Sequence, residues 1–223
     1  MTDTQAHSTL AEQTFEKIFN LILLGEIPLG GFVNEANLAQ RFNVSRGPVR
    51  EAVQRLQGLR LVTREPHMRA RVVQLSGRDL VEIFQLREAI EGMACRLAAE
   101  TMPDEELEEL EDDLARVRRR DAPAPQVLDI HMRIARGCNN KRIERLLCED
   151  LYHLLRIYRY RSGSKPGRRG KAYEEHWQIV RAMRARDGEL AESLMRAHIN
   201  RATRTLLDTL DDLDEPLRLG AGA

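Results

Sequence analysis

Residues 34–56, NEANLAQRFNVSRGPVREAVQRL, decide how the whole chain is read. Asn34 can cap a short helix running to about Phe42, with Leu38 and Phe42 on one face. Asn43-Val44 reads as a tight turn, and Ser45 as the cap of the next helix. Pro48 falls in that helix's first turn, where a missing N–H costs little. Val49, Ala52, Val53 and Leu56 repeat at helical spacing and predict its buried stripe. Two helices joined by so short a turn have the spacing of a helix-turn-helix. Arg46 and Arg50 stand four residues apart, so they project from one side, expected opposite Val49 and Val53. Both lie at the end of the second helix that enters a major groove in this motif. Ser45 and the first-turn N–H groups can hold a phosphate, and Gly47 leaves room for close backbone approach.

Upstream, Phe15, Ile18, Phe19 and Ile22 form an amphipathic helical stripe, closed by Gly25 and the turn IPLGG at 27–31. Downstream, two β-rich pieces near 61–64 and 70–75 flank residues 65–69. They predict a two-stranded hairpin in the place of a wing, with His67 and Arg69 at its tip. Charge supports this reading. Between residues 37 and 74 stand arginines 41, 46, 50, 55, 60, 64, 69 and 71, against only Glu51 and Glu65. Arginine suits planar recognition of phosphate and guanine. A basic patch inside a chain of net charge 0 points to a nucleic-acid footprint on one module.

The whole chain has 223 residues, 42% hydrophobic and 31% charged, enough for a large core and for one or two domains. No charge-free stretch is long enough to span a bilayer, and the N-terminus lacks the pattern of a secretory signal. A cytoplasmic protein is the expectation. Cys95, Cys138 and Cys148 form no CxxC pair and read as small core hydrophobes. Beyond Ser76-Gly77 the pattern is helical almost throughout, with helices expected at 78–100, 104–120, 125–137, 141–162, 171–186 and 188–212. The fold class that follows is mainly α. An N-terminal winged helix-turn-helix of three helices and a two-stranded wing (1–76) precedes an all-α antiparallel bundle (77–212) and a tail (213–223).

The stretch NEANLAQRFNVSRGPVREAVQRLQGLRLVTRE (34–65), preceded by LILLGEIPLGGFVNE (21–35), resembles the winged-helix signature of the GntR family of bacterial transcription regulators. The resemblance implies that Ser45, Arg46 and Arg50 contact DNA together with the wing tip. The chain departs from the family pattern at Gly47, usually threonine, and at Arg60 and Arg69, both usually glycine. DLVEIFQLREAIEGMACRLAAE (79–100), IHMRIARGCNN (130–140) and EEHWQIVRAMRARDGELAESLMRAHI (174–199) are similar to the FadR-type FCD domain of the same family.

Many FCD domains hold a divalent metal through one Asp and three His. The matching histidines are His131, His176 and His198, each on a different expected helix. Imidazoles from neighbouring helices can converge in a bundle core and suit Zn, Ni, Fe or Mn. The usual Asp position is Val127. Asp129, two residues before His131, is expected to point away. The competing reading is three core histidines satisfied by hydrogen bonds. On helix 78–100, positions 80, 84, 87, 91, 94 and 98 share a face, which puts Arg87 and Glu91 on an apolar stripe. A buried charge needs a partner. That partner is either Glu91, four residues on, or the carboxylate of an effector. The resemblance implies the effector, a small organic acid, with Arg133 and Asn140 at other recurring positions. Asn140 can also simply cap the next helix. Arg118-Arg119-Arg120 suits a helix C-terminus. Tyr152, Tyr158, Tyr160 and Trp177 read as core or dimer contacts.

Together these readings predict a homodimeric, ligand-responsive DNA-binding regulator, most family members being repressors, and not an enzyme. Its partners are double-stranded operator DNA and a small acid, with no membrane. One rival is a three-His metal enzyme acting on small acids, which no nucleophile motif supports. Another is a DNA-binding protein whose helical domain only dimerises.

Overall fold

The computed structural model describes residues 9–65, 68–118, 130–162 and 167–214. His67, Val127 and Asp129, and the tail from 215, lie outside them. The internal contacts divide the chain into two compact units, Met1–Leu75 and Ser76–Ala223.

The first unit is built on α1 (Leu10–Leu23), α2 (Glu35–Phe42) and α3 (Arg46–Gly58). Thr9 caps α1 by accepting from the Glu12 N–H, and Asn34 caps α2 by accepting from the Asn37 N–H. Asn43 ends α2 in the left-handed region, φ 53°, and makes the sharp turn into α3. Phe15, Ile18, Phe19 and Ile22 of α1 pack with Val49, Val53 and Leu56 of α3, all fully buried. Each such side chain contributes about 1.5–3 kcal/mol by leaving water. Strands β1 (Val62–Thr63) and β2 (Arg71–Val72) pair antiparallel, Val62 opposite Val72. They are shorter than the sequence predicts. The sheet also gains a bridge from Phe32 to Arg71, and Val33 N–H donates to the Ala70 carbonyl. The segment before α2 therefore completes the wing, a pairing between residues too far apart for local patterning to show.

The second unit is an all-helical bundle. Its helices are α4 (Gly77–Thr101), α5 (Asp104–Arg118), α6 (Ile130–Gly137), α7 (Lys141–Arg145), α8 (Tyr152–Ser162), α9 (Arg168–Arg184) and α10 (Gly188–Asp214). Ser76 and Asp79 form a reciprocal capping box that starts α4. The hydrogen bonds from Ser76 hold the Asp79 carboxyl below its ordinary range. Helices α4 and α10 run against each other, with α9 against both, α6 on α4, and α8 on α10. At Gly92 the two long helices come so close that an added Cβ would meet Arg196 Cγ at 2.7 Å. The single helix expected at 141–162 is interrupted by a π turn at Leu146–Asp150. No helix among the described residues is long and apolar enough to cross a membrane. Cys95 and Cys138 are buried, and burial pushes both thiols up, which fits core packing rather than reactivity.

Candidate DNA-reading face and candidate metal centre

Helix α3 buries Val49, Ala52, Val53 and Leu56 and leaves Ser45, Arg46, Gly47 and Arg50 exposed. Contrary to the expectation, the arginines do not stand opposite the valines. At about 100° per residue, Arg50 lies roughly 110° from the middle of the buried stripe, and Arg46 nearer still. Arg46 reaches solvent because it occupies the first position of the helix. Ser45 sits at the N-cap with extended backbone, but its hydroxyl makes no capping bond. That corrects the expected cap and leaves the hydroxyl beside first-turn N–H groups that have no intrahelical partner. A Cβ added at Gly47 would meet only Ser45 Oγ, at 3.9 Å, so nothing inside the fold requires glycine there.

The eight arginines of the basic patch separate into two sets. Arg41 pairs with Glu26 at 2.7 Å, Arg55 with Glu12 at 3.4 Å, and Arg64 with Glu35. Arg55 also stacks over Phe15 and Arg71 over Phe32. Arg46, Arg50, Arg60 and Arg69 are exposed, and their side chains make no ion pair or hydrogen bond among the described residues. Arg60 has φ 56° at the end of α3, where the family pattern has glycine.

In the second unit α6, α9 and α10 bring His131, His176 and His198 together. One ligand-capable nitrogen from each lies within 4.8 Å of the other two. His176 Nε2 and His198 Nε2 are 3.2 Å apart. Two imidazole nitrogens at about 2.0–2.1 Å from one zinc ion would be roughly 3.3 Å apart at the tetrahedral angle. Two carboxylates fix the rings. His131 Nδ1 faces Glu91 Oε2 at 2.5 Å, and His198 Nδ1 faces Glu175 Oε2 at 2.6 Å. With Nδ1–H donating to a carboxylate, Nε2 carries the lone pair a metal needs, the arrangement usual for metal-bound histidine. Burial drives His198 down to about 4 against the hydrogen bond from Glu175, so the ring is neutral at pH 7. Burial would raise Glu175, but its hydrogen bond with His198 and its Arg201 and Arg168 partners outweigh this and bring it to about 2. The donor set, three imidazoles with a carboxylate behind two of them, fits Zn, Ni, Fe or Mn.

Arg87 is fully buried, its Nε 2.5 Å from Glu91 Oε1, and its guanidinium lies over the Phe84 ring. The pairing with Glu91, one of the two partners open from the sequence, is therefore present. Its charge also helps to keep His198 neutral. Two expected effector residues do not join this centre. Arg133 is held by Asp113 at 2.9 Å and Glu109 at 3.4 Å on α5. Asn140 spends its side-chain oxygen on the N–H groups of Arg142 and Ile143 as the cap of α7. Arg133 thus ties α6 to α5, and the Asn140 oxygen starts α7, the capping role the sequence also allows. The sequence offers Glu91 only as a partner for Arg87 and gives no sign of Glu175. Glu175 stands next to His176 in sequence, but its partner His198 is on another helix, so periodicity carries no signal for it.

The family of bacterial regulatory proteins named gntR matches residues 10–72, and the FCD domain matches residues 82–201. A probable D-xylose utilization operon transcriptional repressor of Paenarthrobacter nicotinovorans is 32% identical over 86% of this chain and 86% of its own. Among solved structures, Escherichia coli McbR/YncC superposes with a TM-score of 0.73 at 21% identity, covering 91% of this chain and 99% of its own. A transcriptional regulator from Rhodococcus sp. RHA1 gives a TM-score of 0.71 at 22% identity, covering 89% and 97%. The second and third likenesses speak to fold alone. The chain belongs to the GntR family of bacterial transcription regulators, with a DNA-binding winged helix followed by an FCD domain.

Proposed function

We propose that the chain is a homodimeric repressor whose FCD unit holds a divalent metal at His131, His176 and His198 and takes up a small organic acid there. The observation that carries this reading is the convergence of three imidazoles, two of them oriented by carboxylates, buried Glu91 and partly buried Glu175. When bound, the metal supplies a Lewis-acidic position that a carboxylate can occupy. Arg87 supplies a cation within the same interior. In the first unit, Ser45, Arg46, Gly47 and Arg50 read the major groove, and the wing with His67 and Arg69 follows the backbone. Support comes from the exposure of the first four and from the lack, among the described residues, of ion-pair or hydrogen-bond partners for the three arginine side chains. Two copies would read a pseudo-palindromic operator. The exposed Leu86 and Met93, seven apart on α4, offer an apolar face to a second copy.

Regulation requires that the acid bind the DNA-competent and DNA-incompetent states unequally. The test is a thermal-shift screen of organic acids on zinc-loaded and chelator-stripped protein, followed by operator binding with the acids that score. A ligand of the folded state raises the melting temperature. The expected result is an acid that stabilises the metal-loaded chain and changes operator affinity. Stabilisation by no acid, with or without metal, would contradict the sensor reading and favour an FCD unit that only dimerises.

A further inference from the structure

We infer that Glu91 is a positioning residue that links the buried Arg87 to His131, so that an anion taking up Arg87 is felt at the metal. This rests on the three-imidazole reading above and adds the regulation of that site. One carboxylate serves both partners. Its Oε1 accepts from Arg87 Nε and its Oε2 from His131 Nδ1, each at 2.5 Å. Arg87 is 0% exposed and Glu91 3%, so water does not screen the pair. The matching carboxylate behind His198 is arranged differently. Glu175 gives its other oxygen to Arg201, whose side chain is 49% exposed, and shares the first with Arg168.

The physical consequence follows from the sharing. A carboxylate that accepts Nδ1–H strengthens the lone pair on Nε2, and hence the ligand. A cation on the opposite oxygen draws charge away from that bond. An external carboxylate that pairs with Arg87 relieves this demand and returns the charge of Glu91 to His131. Metal and acid then tighten each other by the same factor. A buried ion pair is weak evidence for stability, since apolar replacements are often as stable. Coupling gives Arg87 and Glu91 a reason to be there. The cavity beside them, lined by Glu91, His131, Met132, Leu147 and Leu155, has a volume of about 10 Å³, room for a water molecule but not an acid. Entry therefore requires the lining to move, and Leu147 is the lining residue set in irregular helix. It sits in the π turn, and such turns recur at functional sites.

The test uses zinc alone as the probe, titrated calorimetrically into the full chain. The four forms are wild type, Arg87→Met, Glu91→Gln and the double variant. Glu91→Gln should weaken zinc about 10–100-fold, the usual effect of removing such a partner. Arg87→Met should tighten zinc severalfold in the wild-type background and leave it nearly unchanged in the Glu91→Gln background. Equal factors in the two backgrounds would overturn the proposal, because Arg87 would then act on the metal only through space. Absence of zinc binding in the wild type would overturn this proposal and the metal reading together, which separates the two failures. Arg87→Met leaves a buried carboxylate uncompensated. If it does not fold, Glu91→Asp replaces it, a methylene too short to span both partners. Wild-type zinc affinity there overturns the proposal. A loss of about tenfold, with nitrogen NMR showing mixed His131 tautomers, supports it.

Discussion

The Arg50 side chain stands on α3 with no ion-pair or hydrogen-bond partner among the described residues, four residues from Arg46, while Arg55 on the same helix is held by Glu12 and Phe15. The difference separates a side chain available to a ligand from one serving the fold. Arg50→Ala should weaken binding to a selected operator duplex by about 1–3 kcal/mol if it makes a bidentate base contact. Arg55→Ala should leave operator affinity within about twofold in the same gel-shift series, since exposed pairs contribute little. Equal losses from both would mean that the whole patch acts as diffuse charge. The sequence already carried Arg46, Arg50 and the three histidines, through spacing and through the resemblance. It did not carry the fate of the other arginines. Glu26, Glu12 and Glu35, which occupy three of them, are 15, 43 and 29 residues away, and such distances are set by folding.

At the scale of elements, α3 is held by side chains that leave water completely. Leu56→Ala should cost about 2–5 kcal/mol in a urea titration, the range for a buried leucine whose cavity cannot fully collapse. A cost below 1 kcal/mol would mean the packing with α1 is loose. The helices were legible because their stripes are long: residues 80, 84, 87, 91, 94 and 98 of α4 are all buried, as their common face requires. The break in the helix predicted at 141–162 was not legible. Neither Gly nor Pro marks Leu146–Asp150, and a π turn keeps helical spacing on either side. The third piece of the wing was missed for a similar reason, since Phe32 pairs with a residue 39 positions later and has no strand pattern of its own.

For the whole molecule, the buried imidazole sets a pH dependence in chelator-stripped protein. His198 takes its proton near 4 in the folded chain and near 6.5 in the unfolded one, because burial disfavours the cation. Between those values the unfolded state binds more protons, so stability is full above about 6.5 and falls as pH drops towards 4, by at most about 3 kcal/mol. Glu175 adds a loss in the same direction, from about 4.5 down to about 2, since its folded form holds the proton less tightly. Melting temperature measured from pH 7 to 4.5 should fall, and His198→Gln should flatten that slope. An unchanged slope would place the acid sensitivity elsewhere. Operator affinity should also fall steeply with salt, as expected when arginines displace counterions from phosphate.

The proposed metal site draws one imidazole each from α6, α9 and α10. Elemental analysis of full-length protein, loaded with zinc and freed of excess, tests it most directly. Close to one zinc per chain in the wild type, falling below about a tenth in His176→Ala at unchanged helical content, is the predicted result. A wild type that emerges without metal, or a variant that retains it in full, would rule out this site.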